Sequence, residues 1–173
     1  MAAMRFGVKT GQGGYSYADL KKVWTAADVL GYDSAWLHDH FFALGDKNAL
    51  CLEAWTALAA LAAATKKLRI GTMVTSVSYR HPSLLAKMAT TIDVISGGRL
   101  IMGLGTGWYE EEYIAYGYDF PDQRTRVQQL REALVIIRKL WTEERVTYNG
   151  RFYSLQDAIS SPKPLQKGGD HQS

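Results

Sequence analysis

Short apolar runs separated by amphipathic stretches, four times over, constrain this chain more than any other feature. The runs are Arg5-Phe6-Gly7-Val8-Lys9, Ser34-Ala35-Trp36-Leu37, Leu68 to Val74, and Arg99 to Leu104. Each is too short for a helix, and each is followed by residues recurring at helical spacing. Strands that are apolar on both faces and separated by helices pair in parallel and are covered by those helices. Two architectures satisfy this pattern: an open doubly wound sheet, or part of a (β/α)8 barrel. A complete barrel takes about 250 residues, and 173 are present. The expectation is an α/β chain of four β/α units, a partial (β/α)8 TIM-type barrel (a half-barrel) with parallel strands.

The helices carry their own punctuation. Ser16, with Asp19 three residues on, comes close to a capping box. Leu20, Val23, Trp24, Ala27 and Leu30 follow at helical spacing, and Gly31 supplies the stop. Glu53 to Ala64 reads as the second helix. Pro82 suits a helix first turn, Leu84, Leu85, Met88, Ile92 and Ile95 form an apolar face, and Gly97-Gly98 ends it. Val127, Leu130, Leu134, Ile137 and Trp141 mark a long fourth helix. Beyond it, Val146 to Leu155 reads as a hairpin turning at Asn149-Gly150, and Pro162-Lys163-Pro164 as an extended linker. Residues 1–144 are therefore expected to form the four β/α units, 145–166 a hairpin and linker, and 167–173 a disordered tail.

Composition narrows the function classes. Apolar residues make up 47% and charged residues 21%, an ordinary globular balance. The net charge of +3 is spread along the chain; no basic block points to nucleic acid. Met1 to Thr10 lacks the charged start and apolar core of a leader. Ala54 to Ala64 is too short to span a bilayer. The single cysteine, Cys51, permits no internal disulfide, which fits a reducing compartment and a cytoplasmic location.

Parallel β/α folds bind ligands at the C-terminal ends of their strands. Those ends are Lys9-Thr10-Gly11, His38-Asp39-His40, Val74-Thr75-Ser76 and Gly105-Thr106-Gly107, and the fold predicts that they converge. In His38-Asp39-His40 alternate residues point to opposite sides. One reading has Asp39 bonding a cofactor ring while His40 gives or takes a proton; another has the histidines merely closing the strand end. A metal site lacks Glu and Cys partners at ligand spacing. Gly103-Leu104-Gly105-Thr106-Gly107 resembles a phosphate-binding turn but fails the dinucleotide spacing; it equally suits close approach of backbone to a neighbour or a planar ring. Thr75 and Ser76 offer hydroxyls to a ligand edge or to the following loop. Arg80-His81-Pro82 precedes a helix N-terminus, which favours anions, or is plain surface. Of the five tryptophans, four have core spacing. Trp108, following the glycine turn, faces the expected ligand side.

Taken together, these residues resemble the luciferase-like monooxygenase superfamily, and most closely its deazaflavin (coenzyme F-420)-dependent oxidoreductase branch. The segments that carry the resemblance are Met4-Arg5-Phe6-Gly7-Val8, Gly31 to Leu37 with Asp39-His40-Phe41, and Arg80-His81-Pro82 through Leu85-Ala86-Lys87. Ser96-Gly97-Gly98-Arg99-Leu100 and Gly103 to Trp108 with Glu111-Glu112-Tyr113 and Tyr116-Gly117 complete them. The match runs from about Met4 to about Gln166. The resemblance implies a barrel with a deazaflavin, or less favoured FMN, at its mouth, and hydride transfer to or from a small molecule. It implies that Asp39 and His40 are catalytic, and that Asp39, Met73, Val74, Thr75, Ser76, Gly105, Thr106, Gly107 and Trp108 contact the cofactor. A non-proline cis peptide is implied at Met73–Val74. Sugar-phosphate dehydrogenases of the family carry a carboxylate where this chain has Trp108, which argues against that substrate. Family members continue past Pro-Lys-Pro-Leu-Gln into four more strands that supply most of the phosphate contacts. The expectation is therefore weak or no cofactor binding by the lone chain, reduced turnover, and self-association as a dimer that covers open sheet edges. The alternatives are a non-catalytic half-barrel module for binding or oligomerisation, and a truncated gene product.

Overall fold

The computed structural model describes residues 4–166; the expectation for residues 167–173 lies outside them. The first repeat folds as β1 (Gly7–Lys9) and α1 (Tyr17–Leu30), the second as β2 (Ser34–Leu37) and α2 (Ala54–Ala64). The third is β3 (Arg69–Ser76) and α3 (Pro82–Ser96), joined by a 3-10 turn at Val77–Tyr79. β4 (Leu100–Gly105) leads to a short α4 (Glu110–Tyr116) and a long α5 (Gln123–Thr142). The strands form one sheet in the order β1-β2-β3-β4. β1 pairs with β2 and β2 with β3 in parallel, with Val8 opposite Ala35 and Leu37 opposite Thr72. This is the parallel α/β layout that the alternation predicts. No helix among the described residues is long and apolar enough to cross a membrane.

Two compact units share the chain, one on residues 4–75 and 95–103, the other on 76–94 and 104–166. In the first, α1 begins with a complete capping box between Ser16 and Asp19 and ends at Gly31 in the left-handed region. Its buried Leu20, Trp24 and Ala27 share a core with Ala35, Leu37, Trp55, Leu58, Leu61 and Ile70. The corner between α2 and β3 is tied by two charged side chains. The Asp28 carboxylate accepts the backbone N–H groups of Lys66, Lys67 and Leu68 at 2.9, 2.8 and 2.7 Å. The Arg99 guanidinium donates to the carbonyls of Ala62, Thr65 and Leu68 at 2.8, 2.9 and 2.7 Å. Burial pushes the Asp28 carboxyl up, but the three amides and Arg99 outweigh it and hold the group below its ordinary value.

In the second unit α3 and α5 bury Leu85, Ala86, Ala89, Ile92, Ala133, Ile136 and Ile137. The Trp141 indole donates to the Ala86 carbonyl at 3.1 Å, so this tryptophan, like Trp36, is only half-buried. The expected hairpin is present as β5 (Val146–Asn149) and β6 (Ser154–Ala158), but it does not turn at Asn149-Gly150 alone. Four residues, 150–153, form the loop, because the Glu132 carboxylate captures the successive amides of Arg151, Phe152 and Tyr153 at 2.9, 3.1 and 3.3 Å. Polar contacts hold the segment from Pro162 to Gln166. Lys163 Nζ donates to the carbonyls of Leu140 and Glu143, and Asp93 accepts from the amides of Leu165 and Gln166 at 2.7 and 3.3 Å.

Candidate functional site

In the first unit the site is built from the end of β2 outward. Gln12, wholly buried, donates its side-chain amide to the His38 carbonyl at 2.5 Å and accepts the His38 N–H at 3.3 Å. Its carboxamide thus stands in for a neighbouring strand and fixes the start of His38-Asp39-His40. A Cβ at Gly11 would lie 2.7 Å from His38 Cε1, so only glycine lets the loop pack against that imidazole. The period of two holds here: Asp39 is 4% exposed, whereas His38 and His40 are half-buried. The two imidazoles meet edge to face, 5.1 Å between centroids. The Cys51 thiol lies 3.5 Å from the His40 carbonyl.

The first unit's part of β3 has an uneven exposure. Thr72 and Thr75 are buried, at 1% and 0%, yet Met73 and Val74 between them are 43% and 48% exposed. The Met73–Val74 peptide is cis, at the position that the resemblance implies. Thr75 turns its hydroxyl inward, to Thr72 and to the Trp55 indole N–H at 3.2 Å. The strand therefore presents two apolar side chains outward over a hydrogen-bonded, buried base.

In the second unit Ser76 is buried and shares a 2.7 Å hydrogen bond with the Tyr113 hydroxyl. Gly105, Thr106 and Gly107 are half-buried, and Gly107 has a φ of 75°. Trp108 is 64% exposed and stacks on Tyr109, with centroids 5.1 Å apart and planes inclined by 19°. Tyr109 in turn donates to Glu111 at 3.0 Å. The Arg80-His81 segment leads into α3. His81 Nδ1 hydrogen-bonds the Ser83 hydroxyl at 2.7 Å and accepts the Ser83 amide at 3.3 Å.

Sequence reasoning missed Gln12, Trp55, Glu112 and Tyr113. Gln12 sits in a glycine-rich loop where a lone polar residue reads as exposed. Glu112 and Tyr113 lie in a stretch whose three acidic residues hide its helical character. Their signal was present only as the Glu111-Glu112-Tyr113 segment of the resemblance. Among the described residues there is no group of three or more His, Cys, Asp or Glu placed to hold a metal ion.

Comparison with known proteins gives this geometry a family. The family described as luciferase-like monooxygenase matches residues 1–171. An F420-dependent glucose-6-phosphate dehydrogenase of Microbacterium testaceum is 36% identical over 165 residues, which are 95% of this chain and 49% of that protein. Among solved structures, an F420-dependent secondary alcohol dehydrogenase in complex with an F420-acetone adduct superposes with a TM-score of 0.86. It is 28% identical, and the match covers 94% of this chain and 50% of that one. The oxygenating constituent of 3,6-diketocamphane monooxygenase from Pseudomonas putida, in complex with FMN, shares the fold at a TM-score of 0.75 and 24% identity, over 89% of this chain and 44% of that one. The chain spans about half the length of the curated relatives it matches. On the family match across nearly its whole length, the chain belongs to the luciferase-like monooxygenase family.

Proposed function

We propose that this chain carries part of a flavin-type cofactor site of an oxidoreductase, with the cofactor ring lying against Met73 and Val74. The observation that carries the reading is the exposure of these two side chains in a segment whose neighbours Thr72 and Thr75 are buried. An outward apolar pair on a rigid base fits a flat ring that is apolar on its faces and polar at its edges. Asp39, at the end of the adjacent strand, supplies a carboxylate for an N–H or hydroxyl at the ring edge. His40 supplies an imidazole that can hold or pass a proton. Thr75 acts from beneath, where its hydroxyl bonds to Thr72 and Trp55 fix the strand. In the second unit the proposal assigns Ser76, Gly105, Thr106, Gly107 and Trp108 to cofactor contact.

The names of the relatives favour the deazaflavin coenzyme over FMN. A bound deazaflavin would supply a ring carbon that accepts or donates a hydride. The chain's own residues then bind the ring, orient it and manage the proton at His40. The substrate is left as a small molecule.

Fluorescence titration of the purified chain with the deazaflavin coenzyme, and in parallel with FMN, tests this. Saturable binding is expected, tighter for the deazaflavin, and Asp39→Ala should weaken it about tenfold, the worth of one charge-assisted hydrogen bond. An unchanged affinity in Asp39→Ala removes that residue from the site. A second reading, a half-barrel module kept for self-association, is favoured by β1. Among the described residues this strand pairs with β2 alone, and beside it Met4 and Phe6 are 79% and 60% exposed.

A further inference from the structure

We infer that Tyr113 is a positioning residue, whose buried hydroxyl sets the Gly105–Trp108 turn by bridging it to the end of β3. This rests on the proposed role of that turn in cofactor contact. It assigns the control of the turn to a buried side chain of the helix that follows it, α4.

Three observations in the second unit converge on the phenol. Its hydroxyl lies 2.7 Å from Ser76 Oγ, and the side chain is fully buried. A Cβ built at Gly107 would stand 1.7 Å from that hydroxyl oxygen and 2.8 Å from Ser76 Oγ. The phenol thus occupies the space that any side chain at position 107 would need, and the backbone of the turn rests directly on it. Gly107 has a φ of 75°, a region closed to most L-residues. The turn's conformation and the phenol's position therefore fit each other and no common substitute.

The ring itself cannot swing away. Tyr79 and Phe120 each lie 4.9 Å from it, and Tyr118 lies at 6.4 Å. Tyr79 donates its hydroxyl to the buried Glu112 carboxylate at 2.8 Å, which anchors the neighbouring residue of the same helix. The Tyr113 carbonyl accepts the Tyr118 amide at 2.8 Å and closes the helix end. The consequence is a fixed hydroxyl pair, Tyr113 and Ser76, between the last residue of β3 and the turn after β4. A fully buried tyrosine does not touch a ligand. It acts through the turn, by holding the Gly105–Trp108 amides where they must be for contact.

The test compares the full chain with Tyr113→Phe, which keeps the ring and its cage and removes only the hydroxyl. Backbone amide resonances of Gly105, Thr106, Gly107 and Trp108 are expected to shift. Affinity for the deazaflavin coenzyme is expected to fall about tenfold, as for one lost buried hydrogen bond, and the fluorescence of the bound coenzyme to change with it. Trp141→Phe, which removes the indole bond to Ala86, is the control for a merely structural loss: it lowers the melting temperature and leaves affinity and turn resonances as they were. Wild-type affinity in Tyr113→Phe, or unmoved turn resonances in a folded variant, overturns the inference. If the unmodified chain binds neither the deazaflavin nor FMN, the reading of the cofactor site fails by itself. The resonances still decide whether Tyr113 sets the turn. Should Tyr113→Phe not fold, Ser76→Ala removes the other hydroxyl and reads the same resonances, and unmoved ones again overturn the inference.

Discussion

Single carboxylates do much of the tying in this protein. Asp28, Asp93 and Glu132 each accept two or three backbone amides from a distant segment. An ionised carboxylate is the strongest acceptor available for such a cluster. Asp28 carries a testable consequence. Burial pushes the carboxyl up, the three amides and Arg99 bring it down by more, and the net shift is downward from the ordinary 3.8. A group held below its unfolded value stabilises the fold above that value and loses the contribution as the pH falls through the folded one. Asp28→Ala is therefore expected to cost about 2 kcal/mol at neutral pH. The gap from wild type should shrink below about pH 4, the ordinary carboxylate range. Urea unfolding at both pH values checks it, and a gap that does not change with pH would show that Asp28 acts through packing instead. The residues legible in the sequence were those whose partners are near. Ser16 and Asp19 are three positions apart and their reciprocal bonds are present, whereas the partners of Asp28 lie 38 to 40 positions away, and no local pattern marks them.

Elements were legible where periodicity was strong. All four strands of the sheet and the four long helices fall within a few residues of their expected places, because apolar runs and caps are local signals. α4 was not seen. Its seven residues include Glu110, Glu111 and Glu112, and of these seven only Glu112 and Tyr113 are buried. The hairpin was seen but its turn was misjudged, since a side chain on α5 outbids the preference of Asn-Gly for a two-residue turn. Edge strands carry a further expectation. β1 has three residues and, among the described residues, a single neighbour, β2, and Phe6 beside it is 60% exposed. An unpaired edge with apolar flanks recruits a second copy. Light scattering of the chain is expected to show a dimer, and Phe6→Lys to shift it toward monomer. A monomer at every accessible concentration would contradict the self-association.

The whole molecule reads as an α/β chain because parallel strands need crossovers and the crossovers need helices. That constraint is written into the spacing of the sequence, so the architecture was legible even though only half the length of its relatives is spanned. The site was legible in part. Of the proposed site, Asp39, His40 and the glycine turn stand at strand ends, where position points to them, whereas Met73 lies inside β3 and was indicated by the family resemblance. Gln12 bonds the His38 backbone and Tyr113 packs against Gly107, through folding that brings distant positions together. In the proposed site a flavin-type ring lies against Met73 and Val74 with Asp39 at its edge. The most direct measurement is a map of backbone amide resonances of the isotope-labelled chain during titration with the deazaflavin coenzyme. The account expects the largest shifts at Asp39, His40, Met73, Val74 and Thr75, with the β5–β6 hairpin silent. Shifts centred on the hairpin or on α1, with residues 39 and 73–75 unmoved, would contradict it.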